Sequence, residues 1–232
     1  MSTALSARKD TAASPGSTVT RLSSFRNLYT RVLLDMQAQQ HPVLGVTSAI
    51  AGEGKTTVAS GLATALAEDG ALEGFGREPA TILLVECNVG APPEDPRLAV
   101  RPGPGLIEAL RGECEVDAAI QETGVERLSV LPLGQPAHSF PLAIRTATMS
   151  DLIARLKSQF GLIVLDLPPV LNSTDTQVLA RLADQTVLVV RAEVTPAKLV
   201  RQALDQLDEH AMLGVVLNDS RPDLPRWLDQ RL

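Results

Sequence analysis

Residues 49–56, Ala49-Ile50-Ala51-Gly52-Glu53-Gly54-Lys55-Thr56, place a Gly-Lys-Thr motif after an apolar run and before a segment rich in Ala and Leu. The apolar run is Val43-Leu44-Gly45-Val46 and the second segment covers 58–66, so the order is predicted strand, Gly-rich turn, predicted helix. Gly52 and Gly54 let the backbone approach a ligand closely. Amide groups at the helix N-terminus can then point at phosphate oxygens. The stretch therefore predicts a phosphate-binding loop.

The residues that end this loop suit a nucleotide with magnesium. Lys55 supplies a positive charge for the terminal phosphates, and the Thr56 hydroxyl can ligate magnesium. One position departs from the pattern G-x-x-x-x-G-K-[ST], because Ala49 stands where the first Gly is usual. A Gly-rich turn that binds nothing is the alternative interpretation.

The composition predicts one aliphatic domain. The chain has 232 residues, of which 44% are hydrophobic and 3% aromatic, and its formal net charge is -6. This charge makes a general attraction to nucleic acid or to an anionic membrane unexpected. Cys87 and Cys114 show neither metal-ligand spacing nor a disulfide framework. Because no apolar stretch approaches the roughly 20 residues of a membrane-spanning helix, and no signal-peptide core is present, we expect a cytoplasmic protein.

The chain divides into a tail and a single domain. Residues 1–20 are rich in Ser, Thr and Ala without apolar periodicity, which predicts a disordered tail, and residues 21–232 form the P-loop domain. Apolar residues at helical spacing predict an amphipathic helix across 23–37. Five later aliphatic runs alternate with helical patterns such as 149–159 and 197–210; the runs are 82–85, 128–131, 162–165, 187–190 and 213–217. Continuous apolar strands of this kind predict an α/β, doubly wound, mostly parallel sheet covered on both faces.

Polar residues follow two of these strands. Asp166 closes the run 162–165, at the position where a second acidic residue polarises magnesium beside a P-loop, although a helix cap or a surface charge would have the same sequence. Glu86 and Asn88 follow the run 82–85 at the edge where open α/β sheets bind ligands. Glu86 could act as a base and Asn88 could offer a neutral oxygen. Ordinary polar residues at a strand end are an equal alternative for this pair.

The order of these motifs resembles the bacterial tyrosine kinases (BY-kinases) that regulate capsule and exopolysaccharide synthesis. The resemblance rests on the segments 46–57, 83–86 and 165–170, and it extends over roughly 23–219 through Gly105-Leu106, Leu131-Pro132-Leu133-Gly134, 188–192 and 214–218. It implies a P-loop NTPase fold and the cofactors ATP and Mg²⁺. In related P-loop ATPases the Asn that matches Asn218 contacts the adenine edge.

The resemblance also implies a role for each site residue. The implied catalytic residues are Lys55, Glu86 and Asp166; the nucleotide-binding residues are Gly52, Glu53, Gly54, Lys55, Thr56, Thr57 and Asn218; the metal ligands are Thr56, Asn88 and Asp166.

Three departures from the family pattern weigh against full kinase activity. Glu86-Cys87-Asn88 replaces Asp-x-Asp, which lengthens one carboxylate and neutralises the other, and Gly90 stands at a basic position. Of the oligomerisation motif Glu-x-x-Arg-x-x-Arg only Arg26 remains, between Ser23 and Tyr29. The tyrosine cluster that those kinases phosphorylate has no counterpart, because Tyr29 is the single tyrosine. Tyr29 is more typical of a packing residue than of a phosphoacceptor.

We therefore expect an ATP-binding regulator of exopolysaccharide or capsule synthesis and export with weakened or lost kinase activity. An active protein-tyrosine kinase is the first alternative. A partitioning-type ATPase is the second, but it would carry a Lys at the position of Ile50. The resemblance implies docking on the cytoplasmic tail of a transmembrane polysaccharide co-polymerase, hence recruitment to the inner face of the plasma membrane. A homo-oligomer is compatible with the degraded motif.

Overall fold

The structure is a computed structural model, and it describes residues 4–7, 28–36, 41–70, 80–88, 95–135, 147–207 and 211–219. Eight strands occur in these ranges: β1 (Ala4–Ala7), β2 (Val43–Ser48), β3 (Ile82–Glu86), β4 (Gln121–Glu122), β5 (Leu128–Leu131), β6 (Leu162–Asp166), β7 (Gln185–Arg191) and β8 (Met212–Asn218). The helices are α1 (28–36), α2 (Lys55–Glu68), α3 (Leu106–Leu110), α4 (Val116–Ala119), α5 (Ala147–Lys157), α6 (Asp175–Ala180) and α7 (Ala197–Leu204), with a 3₁₀ turn at Pro96–Leu98.

The strands form one sheet in the order β1-β8-β7-β2-β6-β3-β5-β4. All neighbouring pairs are parallel except β4 and β5. The strand that precedes the P-loop, β2, lies between β7 and β6, and Val46 is the register partner of Asp166. The carboxyl ends of β2, β3 and β6 therefore meet at one edge of the sheet, where open α/β sheets bind ligands.

Helices cover both faces of the sheet. On one face α1 and α2 pack through Val32, Leu62 and Leu66 on the side chains of alternate strand residues such as Leu84 and Val164. On the other face the cluster contains residues of α3 to α7 and the intervening strand residues; it includes Leu106, Val116, Ile153, Leu179, Ala203, Leu83 and Leu165. Because the strands are buried on both sides, they carry the continuous aliphatic runs seen in the sequence. The predicted α/β, doubly wound, mostly parallel P-loop fold is confirmed.

Two elements differ from the sequence-based expectation. Ala4–Ala7 forms a strand on the edge of β8, inside the segment 1–20 that composition predicts to be disordered; the backbone groups of that edge provide partners that composition does not reveal. Helix α7 ends at Leu204, earlier than the predicted range 197–210. There the amides of Gln206 and Leu207 bond to carbonyls three residues back, which tightens the last turn.

The helical range 23–37 is described only over 28–36, and the C-terminal residues 220–232 lie outside the described residues. None of the described helices has the length and apolar character needed to cross a lipid bilayer.

Candidate nucleotide site

The loop from Ala49 to Gly54 joins β2 to the start of α2. Gly52 and Gly54 have φ of 84° and 85°, in the left-handed region, whereas Ala49 is not among the described residues with positive φ. Ala49 is buried, and its carbonyl accepts the amide of Leu171 at 3.1 Å. The position therefore does not need the conformational freedom of Gly, which explains why the departure from the P-loop pattern leaves the loop intact.

Asn218, at the end of β8, packs directly on the P-loop. Its Nδ2 donates to the Glu53 carbonyl oxygen at 2.9 Å. A Cβ atom built on Gly54 would lie 2.1 Å from the same Nδ2, whereas a Cβ on Gly52 would meet nothing within 4 Å. A Gly is thus required at position 54 both by the backbone angle and by the contact with Asn218. Asn218 therefore lies where the loop enters α2.

Lys55, Thr56 and Asp166 form the polar centre of the site. The Thr56 hydroxyl donates to Asp166 Oδ2 at 2.7 Å. Lys55 and Asp166 are both buried. Burial lowers the pKa of Lys55, against the opposing charges of Asp166 and Glu53. Burial likewise raises the pKa of Asp166 to about 6, although the Thr56 hydrogen bond and the Lys55 charge oppose the change.

The site residues have the chemistry that magnesium requires. Asp166 Oδ1 is buried and has no hydrogen-bond partner among the described residues, so it is free to ligate a cation. Together with the Thr56 hydroxyl it offers hard oxygen ligands. No group of three His, Cys, Asp or Glu side chains in the described ranges could hold a metal alone. Magnesium that binds with a nucleotide needs only one or two protein ligands, because phosphate and water supply the rest.

Glu86 lies beside this centre and faces a neighbouring turn. It is the register partner of Asp166, and its Oε2 accepts the amide of Leu133 at 3.3 Å. Burial raises the pKa of the Glu86 carboxyl, against the opposing effect of the Leu133 bond. Asn88 is half-buried two residues after β3, and no hydrogen bond between described residues joins it to Thr56 or Asp166. The structure therefore brings Glu86 to the polar centre more directly than Asn88.

The side chain of Glu53 is bound to protein groups. Its carboxylate accepts the amide of Ile50 at 2.7 Å, the amide of Arg191 at 3.3 Å and the hydroxyl of Thr195 at 2.5 Å. Only the Glu53 backbone amide is therefore available to a phosphate. Thr57, the other nucleotide-binding candidate of the loop, is half-buried in the first turn of α2.

The sequence did not single out Arg191 and Thr195. Arg191 closes an apolar strand and Thr195 follows it, and polar residues are common at both kinds of position. Nor did the sequence reveal that Gly105-Leu106 and the turn at 131–134 touch each other. The amide of Leu106 donates to the Pro132 carbonyl at 2.8 Å, and Glu108 accepts the amide of Gly105 at 2.8 Å. No spacing in the sequence links these positions, because they meet only where the start of α3 packs on the turn that follows β5.

Curated relatives cover most of this chain. The tyrosine-protein kinase Wzc of Salmonella typhimurium is 26% identical over 199 residues, which are 85% of this chain and 26% of Wzc. The succinoglycan biosynthesis transport protein ExoP of Rhizobium meliloti is 29% identical over 84% of this chain and 24% of its own. The tyrosine-protein kinase CpsD of Streptococcus agalactiae is 28% identical over 81% of this chain and 80% of CpsD. The chain thus spans about a quarter of the first two relatives and four fifths of the third. No protein-family model matches it.

Solved structures show the same fold. The kinase domain of the Escherichia coli tyrosine kinase ETK superposes with a TM-score of 0.77 at 24% identity, over 88% of this chain and 77% of that one. The VpsO kinase domain has a TM-score of 0.72 at 26% identity, over 88% and 97%. MinD of Pyrococcus horikoshii, solved with Mg-ADP, has a TM-score of 0.58 at 24% identity, over 82% and 76%. The two comparisons at 24% identity establish the fold alone.

Proposed function

We propose, from the premise that this chain belongs to the bacterial tyrosine kinase (BY-kinase) family, that it binds ATP with magnesium and regulates the synthesis and export of a capsule or exopolysaccharide. The observation that carries the nucleotide part is the buried centre at the P-loop, where Thr56 lies 2.7 Å from Asp166 and Lys55 is buried beside them. Magnesium, when bound, would neutralise phosphate charge. Lys55 would hold the terminal phosphates, and the Asp166 and Thr56 oxygens would keep the cation in place.

The regulatory part rests on the relatives and on the residues beside the centre. The pair Glu86 and Asn88 offers one carboxylate where two are usual in the family, and the Glu86 carboxylate is held by the Leu133 amide. A misplaced base weakens in-line phosphoryl transfer more than it weakens ATP binding. We therefore propose that the chain regulates a partner protein through its ATP-bound conformation more than through phosphoryl transfer. The proposed partner is the cytoplasmic tail of a transmembrane polysaccharide co-polymerase, which would recruit the chain to the inner face of the membrane.

Lys55→Ala tests nucleotide binding. Removal of the phosphate-binding charge should weaken ATP affinity by about tenfold or more, because a hydrogen bond to a charged group contributes about 1.5–3 kcal/mol. Isothermal titration calorimetry with Mg-ATP measures the change. Lys157→Ala is the matched control, because Lys157 pairs with Asp184 at the opposite edge of the sheet and should leave the affinity unchanged. An equal affinity for wild type and Lys55→Ala would refute the assignment.

An active tyrosine kinase is the second candidate, and Glu86 favours it. A carboxyl whose pKa is raised by burial, in register with Asp166, suits a general base.

We nevertheless expect tyrosine autophosphorylation to be absent or low, because Tyr29 is the single tyrosine and its hydroxyl donates to Asp69 at 2.8 Å. Mass spectrometry after incubation with Mg-ATP measures it, with Lys55→Ala as the inactive control. Abundant phosphotyrosine at Tyr29 in the wild type, absent from Lys55→Ala, would establish an active tyrosine kinase. It would reject the proposal that kinase activity is weakened or lost.

A further inference from the structure

The turn that follows β5, residues 132–135, is bound by the start of helix α3. The amide of Leu106 donates to the Pro132 carbonyl at 2.8 Å, and the amide of Ile107 donates to the Leu133 carbonyl at 3.1 Å. The first amides of a helix have no partner inside the helix, so they are available for contacts of this kind. The carbonyl groups of the turn are therefore held by the main chain of α3.

The carboxylate of Glu108 adds a second connection between the helix and the turn. Its Oε2 accepts the amide of Gly105 at 2.8 Å, and its Oε1 accepts the amide of Gln135 at 3.1 Å. The first bond stays within the start of α3, whereas the second reaches the end of the turn. The side chain also fills the space beside Gly134, where an added Cβ atom would collide with Glu108 Oε2. Glu108 therefore fixes the end of the turn to the helix.

The amide of Leu133, in the middle of the same turn, holds the carboxylate of Glu86. It donates to Glu86 Oε2 at 3.3 Å, and Glu86 is the register partner of Asp166. Within the described ranges no second hydrogen bond holds the Glu86 carboxylate. One of its oxygens is thus engaged by the turn and not by the polar centre. The position of this carboxylate depends on where the turn places the Leu133 amide.

We propose that Glu108 is a positioning residue that restrains phosphoryl transfer: through the turn it holds the Leu133 amide on Glu86 and keeps this carboxylate from acting as a base. The inference rests on the proposed ATP binding. In the restrained step a water oxygen forms a bond to the γ-phosphorus of ATP, the bond from that phosphorus to the bridging oxygen breaks with its electron pair going to ADP, and a water proton passes to Glu86. An oxygen that already accepts a hydrogen bond is a weaker proton acceptor, and it cannot turn freely toward the water.

Glu108→Ala tests the proposal, because it removes both acceptor oxygens and leaves Glu86 itself unchanged. We expect kcat for the hydrolysis of Mg-ATP to rise about threefold or more, the size of effect that follows when one hydrogen bond no longer holds the carboxylate. KM for ATP should stay within about twofold of the wild-type value, because the hydrogen bonds of Glu108 go to Gly105 and Gln135 and not to the P-loop. Structural damage alone would lower kcat, so a rise in kcat identifies the release of the base.

Two further variants complete the kinetic test. In Glu108→Ala/Glu86→Gln, kcat should not rise above that of Glu86→Gln, because the base to be released is absent. Glu126→Ala is the matched control, because the Glu126 side chain is 88% exposed before β5 and its loss should leave kcat unchanged. If Glu108→Ala does not fold, Glu108→Gln is measured in its place. It keeps one of the two acceptor oxygens and should change kcat in the same direction.

Hydrogen exchange of the Leu133 amide tests the connection in the nucleotide-free protein. In Glu108→Ala this amide should exchange about threefold faster or more than in wild type, and in Glu126→Ala it should exchange at the wild-type rate. An unchanged exchange rate would overturn the proposal, and so would an unchanged or lower kcat in a folded variant that binds ATP with wild-type affinity. If wild type itself does not bind ATP, the proposed function fails, and the exchange rate of the Leu133 amide still decides whether Glu108 positions the turn.

Discussion

Gly52 and Gly54 have nearly the same backbone angle and different surroundings. Both residues have φ near 85°, so an Ala at either position is strained by about 1–2 kcal/mol. A new Cβ has open space at Gly52, but at Gly54 it would displace the amide of Asn218. Ala substitution at Gly52 therefore measures the free-energy cost of the backbone angle alone. Ala substitution at Gly54 adds the cost of moving Asn218.

We predict that Gly54→Ala destabilises the protein more than Gly52→Ala does, by about 1 kcal/mol, because the partly buried hydrogen bond between Asn218 and the Glu53 carbonyl is lost as well. Urea unfolding of both variants measures the difference. In an Asn218→Ala background the clash partner is gone, so the two glycine substitutions should then cost nearly the same. An equal cost in the wild-type background would mean that Asn218 moves aside freely.

At the scale of elements, α3 begins against the turn that follows β5. A Cβ on Gly105 would lie 2.3 Å from the Gly134 nitrogen and 2.4 Å from the Pro132 carbonyl oxygen, and both are backbone atoms that cannot rotate away. The same turn provides the Leu133 amide that holds Glu86. The close contact at Gly105 therefore fixes a turn that touches the candidate site.

We predict that Gly105→Ala costs about 2–4 kcal/mol, in the range of overpacked or disrupted buried contacts, and frees the Glu86 carboxylate. Thermal unfolding measures the loss of stability. Gly103→Ala, two residues earlier, is the control, because its Cβ would meet only the Arg101 carbonyl at 4.0 Å. A Gly105→Ala protein as stable as Gly103→Ala would show that this turn shifts without resistance.

The elements were largely predictable from the sequence, and the contacts between them were not. Aliphatic runs such as 162–165 and 187–190 predicted buried parallel strands because each strand carries its own apolar signal. The P-loop was equally visible, since its residues are consecutive. The hydrogen-bond partners of Glu53 could not be predicted. Thr195, whose hydroxyl donates to the Glu53 carboxylate, lies 142 residues away in the sequence. The strand at Ala4–Ala7 was missed for the same reason: its stability comes from β8.

On the scale of the whole molecule, the sheet places the P-loop strand in the middle. β2 lies between β7 and β6, so a change at the P-loop is next to the elements that carry Arg191 and Asp166. A nucleotide can alter a partner's affinity only if it binds the docked and free forms differently. The central position places the proposed ATP site beside the ends of β7 and β6, so a docking surface on either neighbouring element would lie close to it.

We predict that the chain docks on the cytoplasmic tail of a transmembrane co-polymerase and that Mg-ATP shifts the docking equilibrium by severalfold. Pull-down of candidate tails, with and without Mg-ATP, measures both parts, and Lys55→Ala should remove the nucleotide effect while leaving basal docking. Absence of tail binding in either state would refute the partner. Equal binding in both states would leave a scaffold that nucleotide does not control.

The separations along the chain set the order in which the nucleotide site can assemble. Arg191 and Asp219 are 28 residues apart, and Leu133 and Glu86 are 47 apart, whereas Thr56 and Asp166 are separated by 110 residues and Asn218 and Glu53 by 165. Contacts between distant residues form late, because loop closure costs entropy before they contribute. We therefore expect the site to form late in refolding, after the contacts between residues that are close in sequence. ATP should accordingly slow unfolding much more than it speeds folding, since the transition state still lacks most of what ATP binds.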